Sequence, residues 1–239
     1  MTIQTRYIEY SLNDVVFEGL LAWDDELSGP RPAVAIAHTW AGRGAFEESK
    51  AVELASCGYV GFAIDLHGKG VLGEGAEECA ALMAPLMADR ALLQQRIGTA
   101  ISVLREQPEV DPASAAAIGY CFGGLSVLDL ARSGSDVRGV VSFHGLFSPP
   151  ENTSAKKIKA KVLCLHGYDD PMAKPEAMVA LAAELTTAGA DWQIHAYGNT
   201  VHAFSNPAAD NPQMGTVYSE PADRRSRQAL MNFLQEIFS

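Results

Sequence analysis

The sequence predicts an α/β fold: a mostly parallel sheet with helices on both faces and an antiparallel edge pair at the N-terminus. Three observations predict it. Strand-like and helix-like segments alternate from residue 33 to the end of the 239 residues, the order that builds parallel strands joined by crossover helices. The strand-like segments in that part are unbroken apolar runs such as Ala33-Val34-Ala35-Ile36-Ala37, as strands buried on both faces require. The two strand-like segments before residue 33 are joined by Asn13-Asp14, a turn pair that makes a hairpin.

The elements follow in order. Residues 2–10 and 15–23 form the hairpin, and Gly29-Pro30 breaks the chain after it. Residues 33–37 are the first buried strand, 45–56 a helix that Gly58 ends, and 59–65 the next strand. Residues 76–105 are rich in Ala, Leu and Met and read as two helical pieces meeting near Ala88-Asp89. Residues 113–120 are a strand and 122–131 a helix. Residues 137–143, 161–166 and 192–197 are further strands, and 178–187 and 223–238 are helices. The polar stretch 148–159, with Pro149-Pro150, is too short to separate domains, so one domain over residues 1–239 is expected.

Composition narrows the function. Apolar residues make up 48 % and charged residues 20 %, which excludes intrinsic disorder. A chain of this length buries roughly three quarters of its unfolded surface and needs no disulfide or metal staple. With 18 basic and 29 acidic side chains the formal net charge is −11, and the only basic doublets are Lys156-Lys157 and Arg224-Arg225. Nucleic acid and anionic membrane, which need a basic footprint, are therefore not expected partners. No charged segment followed by an apolar one opens the chain, and no apolar run nears the roughly 20 residues of a membrane span. Cys57, Cys79, Cys121 and Cys164 stand 22, 42 and 43 residues apart, a scatter that suits free thiols in a reducing compartment. A cytoplasmic protein is expected.

The strongest local signal is Gly119-Tyr120-Cys121-Phe122-Gly123-Gly124, between a buried strand and a helix. It is the G-x-nucleophile-x-G elbow of α/β-hydrolases with Cys at the nucleophile position. The turn is too sharp for side chains two residues either side of the nucleophile. The helix N-terminus that follows favours a thiolate, and the Phe122 N–H points where an oxyanion forms. A buried structural cysteine is the plainer alternative.

An elbow predicts an acid and then a histidine further along the chain. Asp170, in His166-Gly167-Tyr168-Asp169-Asp170-Pro171, lies 49 residues after Cys121, and His202 lies 32 residues beyond Asp170. Each sits just past a predicted strand, where open α/β sheets bind ligands. Asp170 alone would read as a helix N-cap, and His202 alone as an ordinary loop histidine. Their order makes them the orienting acid and the base. Asp169 is expected to point elsewhere, His195 to be solvated, Cys164 to pack inside a strand, and Cys57 and Cys79 to lack partners.

Together, Gly-Tyr-Cys-Phe-Gly-Gly, His-Gly-x-x-Asp-Pro and Val-His-Ala-Phe-x-Asn-Pro resemble the dienelactone hydrolase family, over roughly residues 33–238. The stretches Ile36-Ala37-His38, Ala63-Ile64-Asp65-Leu66-His67-Gly68 and Ser142-Phe143-His144-Gly145 fit the same family. The resemblance implies the α/β-hydrolase fold, with Cys121 as nucleophile, His202 as base, Asp170 as its orienter and the Trp40 N–H as second oxyanion donor. It implies a small ester or lactone as substrate and no cofactor. His38, Thr39, Phe143, His144, Phe204 and Asn206 are the expected substrate-binding residues. Two departures stand out. In the enzyme that names the family a Glu follows the first buried strand, where Thr39 stands here. That enzyme also has an Arg four residues after the catalytic His, where Asn206 stands here. Lys69, Arg43 and Arg90 are the substitute cations available, and a neutral or weakly anionic ester is the expected substrate.

His38, His67, His144, His166 and His202 all fall at or just beyond predicted strand ends, but none has metal-motif spacing. They are expected to line the pocket or bond backbone, with no metal. Residues 205–220 have no helical or strand period and begin three residues after His202. They read as an active-site cover carrying Phe204, Met214 and Tyr218, or as a surface connection. Two rivals to the ester hydrolase remain at this level: a thioester or peptide hydrolase on the same residues, and a non-catalytic ligand-binding or redox-sensing relative. The expected assembly is a monomer or homodimer.

Overall fold

Hairpin strands open the chain. In the computed structural model, which describes residues 1–152 and 157–239, β1 (Ile3–Leu12) pairs antiparallel with β2 (Val15–Asp24) around Asn13, at φ 53°. β1 alternates exposed and half-buried residues, as an edge strand does. Its one buried side chain, Tyr10, donates its hydroxyl to the Asp65 carbonyl at 2.9 Å.

By its contacts the chain divides into two units, Met1–Ile118 and Gly119–Ser239. In the first, β3 (Arg31–Ala37) and β4 (Val60–Ile64) are parallel and apolar along their length, and β2 pairs antiparallel with β4. α1 (Ala45–Ser56) joins them as the crossover. α2 (Gly75–Ala88) and α3 (Arg90–Arg105) are separate helices. Asp89 divides them: its carboxylate accepts the Leu92 N–H at 2.9 Å and caps α3. β5 (Val110–Tyr120) then runs across the division between the units.

In the second unit, β6 (Gly139–Phe143), β7 (Lys161–Gly167) and β8 (Trp192–Tyr197) are parallel neighbours. α4 (Phe122–Arg132) is buried along its whole length. Its last residue, Arg132, is only 2 % exposed. The guanidinium is satisfied by Asp129, by Glu184 at 2.7 Å and by the Phe147 and Ser148 carbonyls, as a buried cation must be. α5 (Pro175–Thr187) and α6 (Glu220–Phe238) complete the unit. α6 buries Ala222, Ser226, Leu230, Phe233, Leu234 and Ile237, one stripe at helical spacing.

The strand order is β1-β2-β4-β3-β5-β6-β7-β8, a mostly parallel eight-stranded sheet with the antiparallel pair at its N-terminal edge. The fold class read from the sequence stands. The differences are at the ends of elements. α5 and α6 each begin three residues early, because Pro175 and Pro221 sit in their first turns, where a missing N–H costs nothing. β5 begins at Val110, and residues 111–114 of it are not buried. They therefore carry no apolar signal. The 205–220 connection holds a two-residue antiparallel pair, β9 (Asp210–Asn211) with β10 (Thr216–Val217). Part of the predicted 148–159 stretch, residues 153–156, lies outside the described residues.

Candidate active site

Cys121 stands alone between β5 and α4, with φ 57° and ψ −115°. A residue other than Gly held there costs roughly 1–3 kcal/mol, so its surroundings must over-determine it. They do. Its N–H donates to the Phe143 carbonyl at 3.0 Å, and its carbonyl receives the Leu125 N–H at 3.3 Å. The turn leaves no space at Gly119, where a Cβ would lie 2.1 Å from the Gly123 carbonyl oxygen. The side chain is half-buried at the first turn of α4.

β7 ends at Gly167, whose missing side chain lets the next loop approach: a Cβ there would lie 2.6 Å from the Thr200 carbonyl oxygen. The Tyr168 and Asp169 N–H groups donate to the Tyr197 and Thr200 carbonyls at 2.9 and 3.0 Å. These bonds join the loop after β7 to the loop after β8. Tyr168 and Asp169 are exposed, and Asp170 turns inward and is 1 % exposed. One Asp170 oxygen accepts the Met172 N–H at 2.8 Å, a local turn, and the other accepts from His202 Nδ1 at 2.7 Å. α5 has Lys174 at its N-cap, so Asp170 does not cap it.

A carboxylate can only accept, which puts the His202 proton on Nδ1 and turns Nε2 to other work. Nε2 is buried, with no partner at ordinary hydrogen-bond geometry among the described residues. Burial pulls the His202 pKa down. The hydrogen bond to Asp170, together with the Cys121 side chain, outweighs burial and pushes it up to about 10. The thiol therefore raises the imidazole although no bond between them meets ordinary hydrogen-bond geometry, a looseness common before substrate binds.

Two further histidines back this group. His144, fully buried at φ 36°, lies edge-on to His202 at 5.1 Å and to Phe204 at 5.2 Å, with Nε2 2.9 Å from the Ser205 hydroxyl. His166 donates from Nε2 to the Ala173 carbonyl at 2.8 Å and packs on Phe147. Burial drives both pKa values down, His144 well below its ordinary range, so both rings are neutral beside His202. The Ser142 hydroxyl, the Tyr197 hydroxyl and the Nδ1 atoms of His144 and His166 are buried without a hydrogen-bond partner among the described residues.

Several expected substrate-binding residues have other duties. The Phe143 ring is buried against Tyr120 at 4.7 Å, and it serves Cys121 through its carbonyl. Phe204 is fully buried against Tyr197 and His144. Asn206 is half-buried, and its side chain accepts the Ala208 N–H at 3.0 Å. His202 is held through its backbone by Gly215 and Val217, which no local sequence pattern announced. Cys164 is buried, with its thiol pushed up to about 12 by burial; Cys79 is buried, and Cys57 is exposed at the end of α1. None of the four cysteines forms a disulfide, and the Cys79 thiol, expected to lack a partner, donates to the Gly73 carbonyl at 3.4 Å.

In the first unit, His38 is fully buried and both its ring nitrogens engage backbone, rather than presenting themselves to a substrate. The Thr39 N–H donates to Glu47 at 3.1 Å. Glu47 is 2 % exposed and also accepts the Gly44 N–H at 3.0 Å, the one half of a capping box that a glycine N-cap allows. The substitute cations Arg43 and Lys69 are engaged: Arg43 with Glu18 and Glu48, Lys69 with Glu9 and Glu18. Among the described residues no group of three or more His, Cys, Asp or Glu side chains is placed to hold a metal ion, and no helix is long and apolar enough to cross a membrane.

A mostly parallel eight-stranded sheet with a strained elbow after β5 defines an α/β-hydrolase. The family model described as "Dienelactone hydrolase family" matches residues 17–238, and the chain belongs to that family. It is similar to the solved structure named m3DLH, at 37 % identity over 99 % of both chains with a TM-score of 0.95. It is similar to the dienelactone hydrolase-like promiscuous phosphotriesterase P91 from metagenomic libraries, at 34 % identity over 99 % of both chains and the same TM-score of 0.95. It is also 31 % identical over 150 residues, 62 % of this chain and 95 % of the other, to the uncharacterized protein K02A2.1 of Caenorhabditis elegans. The chain is a hydrolase acting on ester bonds.

Proposed function

We propose that this hydrolase cleaves a small ester or lactone with Cys121 as nucleophile, His202 as base and Asp170 as its orienter, through a thioacyl-enzyme. The observation that carries the reading is the His202 imidazole, bonded by Nδ1 to buried Asp170 and raised in pKa by Cys121 as well. The thiol proton rests on His202, whose raised pKa favours the imidazolium–thiolate pair, and the thiolate attacks the carbonyl carbon. The carbonyl electron pair moves onto oxygen, where the N–H groups of Phe122 and, by the family resemblance, Trp40 receive it. Collapse expels the alkoxide, which takes the proton from His202. A water then gives its proton to His202 and attacks the thioester. The second collapse releases the acid and returns the proton to sulfur.

With Thr39 and Asn206 in place of Glu and Arg, and with Arg43 and Lys69 engaged by carboxylates, the substrate is neutral or weakly anionic. We further propose that residues 1–239 work as one domain in the cytoplasm, where four cysteines outside any disulfide stay reduced.

A slow aryl ester followed by an acid quench and peptide mass spectrometry tests the reading. The acyl mass is expected on Cys121. Turnover with no acyl-Cys121 sinks it, and an oxidisable Cys121 without any turnover favours a redox sensor. A neutral phosphotriester, suggested by the name of P91, is a second probe for the same site.

A further inference from the structure

The chain between β7 and α5 exposes most of what it carries. Tyr168, Asp169, Pro171 and Met172 are exposed, and within residues 168–173 only Asp170 and Ala173 are buried. Each of those two is held by a histidine of the same unit. His202 Nδ1 holds the Asp170 carboxylate at 2.7 Å, and His166 Nε2 holds the Ala173 carbonyl at 2.8 Å. The near end of the loop is tied down by the Tyr168 and Asp169 N–H groups on the Tyr197 and Thr200 carbonyls. At the far end no donor but His166 reaches the Ala173 carbonyl among the described residues. Pro171 also leans on Gly215, where a Cβ would lie 2.4 Å from the proline Cγ. That is an apolar contact and sets no direction, whereas a hydrogen bond does.

The His166 ring is itself fixed. It ends β7 opposite Ala196 of β8 and packs on Phe147 at 4.8 Å, and the Phe147 carbonyl receives the buried Arg132 guanidinium at 2.9 Å. A carbonyl can only accept, so the ring proton sits on Nε2. Burial lowers the His166 pKa against the pull of nearby Asp170, so the ring is neutral at working pH. Its Nδ1 is buried with no partner among the described residues, so the ring's whole polar grip is on Ala173.

Ala173 follows the residue whose N–H takes one Asp170 oxygen, Met172, at 2.8 Å. A tether on Ala173 therefore places the Met172 amide, that amide fixes one carboxylate oxygen, and the planar carboxylate then aims its other oxygen at His202. We infer that His166 is a positioning residue for Asp170, bracing the far end of its loop so that the carboxylate meets His202 Nδ1, an inference that rests on the reading of Asp170 as the orienter of His202. Exposed segments with few buried contacts open at small cost, and the brace closes this one where its aim matters.

His166→Leu removes the donor, His166→Asn moves it to the place of Nδ1, and His166→Gln keeps it at the place of Nε2. With an aryl ester, His166→Leu is expected to lower kcat about 10–100-fold with KM little changed, since misplacing a catalytic group by about 1 Å can cost about 10²-fold. The alkaline limb of its kcat/KM profile should move down in pH, because against burial the Asp170 bond raises His202. His166→Gln should recover most of both effects. In the Asp170→Asn background, His166→Leu should cost less than about twofold more, the non-additivity of two residues that serve one bond. If His166→Leu does not fold, His166→Asn against His166→Gln reads the same contrast. A lower Tm with kcat and the limb at their wild-type values in the donor-deleting variants overturns the inference. So does a fall of undiminished size in the Asp170→Asn background, or a folded His166→Gln that rescues nothing. Wild-type turnover in Asp170→Asn itself would instead overturn the functional reading beneath it.

Discussion

The main-chain N–H of His202 donates to the Gly215 carbonyl at 3.0 Å, and the His202 carbonyl receives the Val217 N–H at 3.1 Å. His202, the proposed base, is thus fastened by the chain that follows it, after a detour of about a dozen residues. The connection over residues 205–220 backs His202 whether or not it also covers the pocket. Replacing residues 208–213 by a short Gly linker removes β9, the partner of β10. The expected result is a fall in kcat of at least about tenfold with little change in Tm, since misplacing a catalytic group by 1 Å can cost about 10². Unchanged kinetics over a series of acyl sizes would leave the segment as a plain connection.

Cys121→Ala should lower ester turnover by about 10³-fold or more, the scale of losing a nucleophile. Cys57→Ala, Cys79→Ala and Cys164→Ala should keep most of it. Cys164 is buried with its thiol pushed up to about 12, so it offers no thiolate at neutral pH. Initial rates of the four variants, with Tm measured alongside, settle the matter; a dead Cys164→Ala that melts normally would contradict it.

Asp170→Asn and Asp169→Asn should separate sharply, because Asp170 is buried on His202 while Asp169 is exposed. Asp170→Asn removes part of what raises His202 to about 10. The imidazolium proton needed by the leaving alkoxide is then lost at lower pH. The alkaline limb of the kcat/KM profile, expected where the raised His202 loses its proton, should move down as kcat falls by at least about 10². The same shift bears on stability. A histidine raised on folding contributes stability in full below its unfolded value near 6.5 and loses it as pH rises through about 10. Equal effects from both substitutions would mean the wrong acid has been chosen.

A matched pair of esters, one with a free carboxylate and one with it masked, should show the masked ester preferred in kcat/KM. Thr39 and Asn206 supply no cation, Arg43 and Lys69 are ion-paired, and the net charge is −11. Salt screens that last contribution beyond about 8 Å. A large preference for the free carboxylate would reveal a cation holding it, with Arg90 the first to substitute.

Acid should unfold the protein early. His38, His67, His144 and His166 all have pKa values lowered by burial. Unfolded, each takes up a proton near pH 6.5 that the folded state refuses, so stability is full above that pH. It falls as pH drops from there, for His38 down to about 3. Urea midpoints at pH 7.5 and 5.5 should differ, and substituting His166 by Phe should narrow the gap. Equal midpoints would contradict the burial of these rings as neutral groups.

The order of elements and the places of Cys121, Asp170 and His202 just past strand ends were legible because each has a chain-local signature: apolar runs, paired glycines, a polar residue just past a strand. What was not legible depends on the third dimension. Nothing in the sequence around Ser205 or Gly215 announces that one meets His144 and the other holds His202. Phe143 and Phe204 sit beside reactive residues in the chain, which made them look like pocket walls, yet both rings point into the core. Glu47 was within reach of pattern reading, since Gly44 and Glu47 have capping-box spacing, but its second bond to the Thr39 N–H was not. Helix starts at Pro175 and Pro221 were missed because their first turns carry no apolar periodicity.

On the proposed reading of Cys121 as nucleophile, its backbone, at φ 57° and ψ −115°, sets catalysis and heat resistance against each other at a single codon. Glycine tolerates that conformation where cysteine does not, so Cys121→Gly should relieve roughly 1–3 kcal/mol of strain, less the roughly 0.5–1 kcal/mol that glycine's freer unfolded chain takes back. The variant would be inert as a hydrolase and yet melt higher. A library of this protein selected for survival at raised temperature, with no demand for turnover, would be drawn toward discarding the proposed nucleophile, and any programme to harden the enzyme must select on both properties at once.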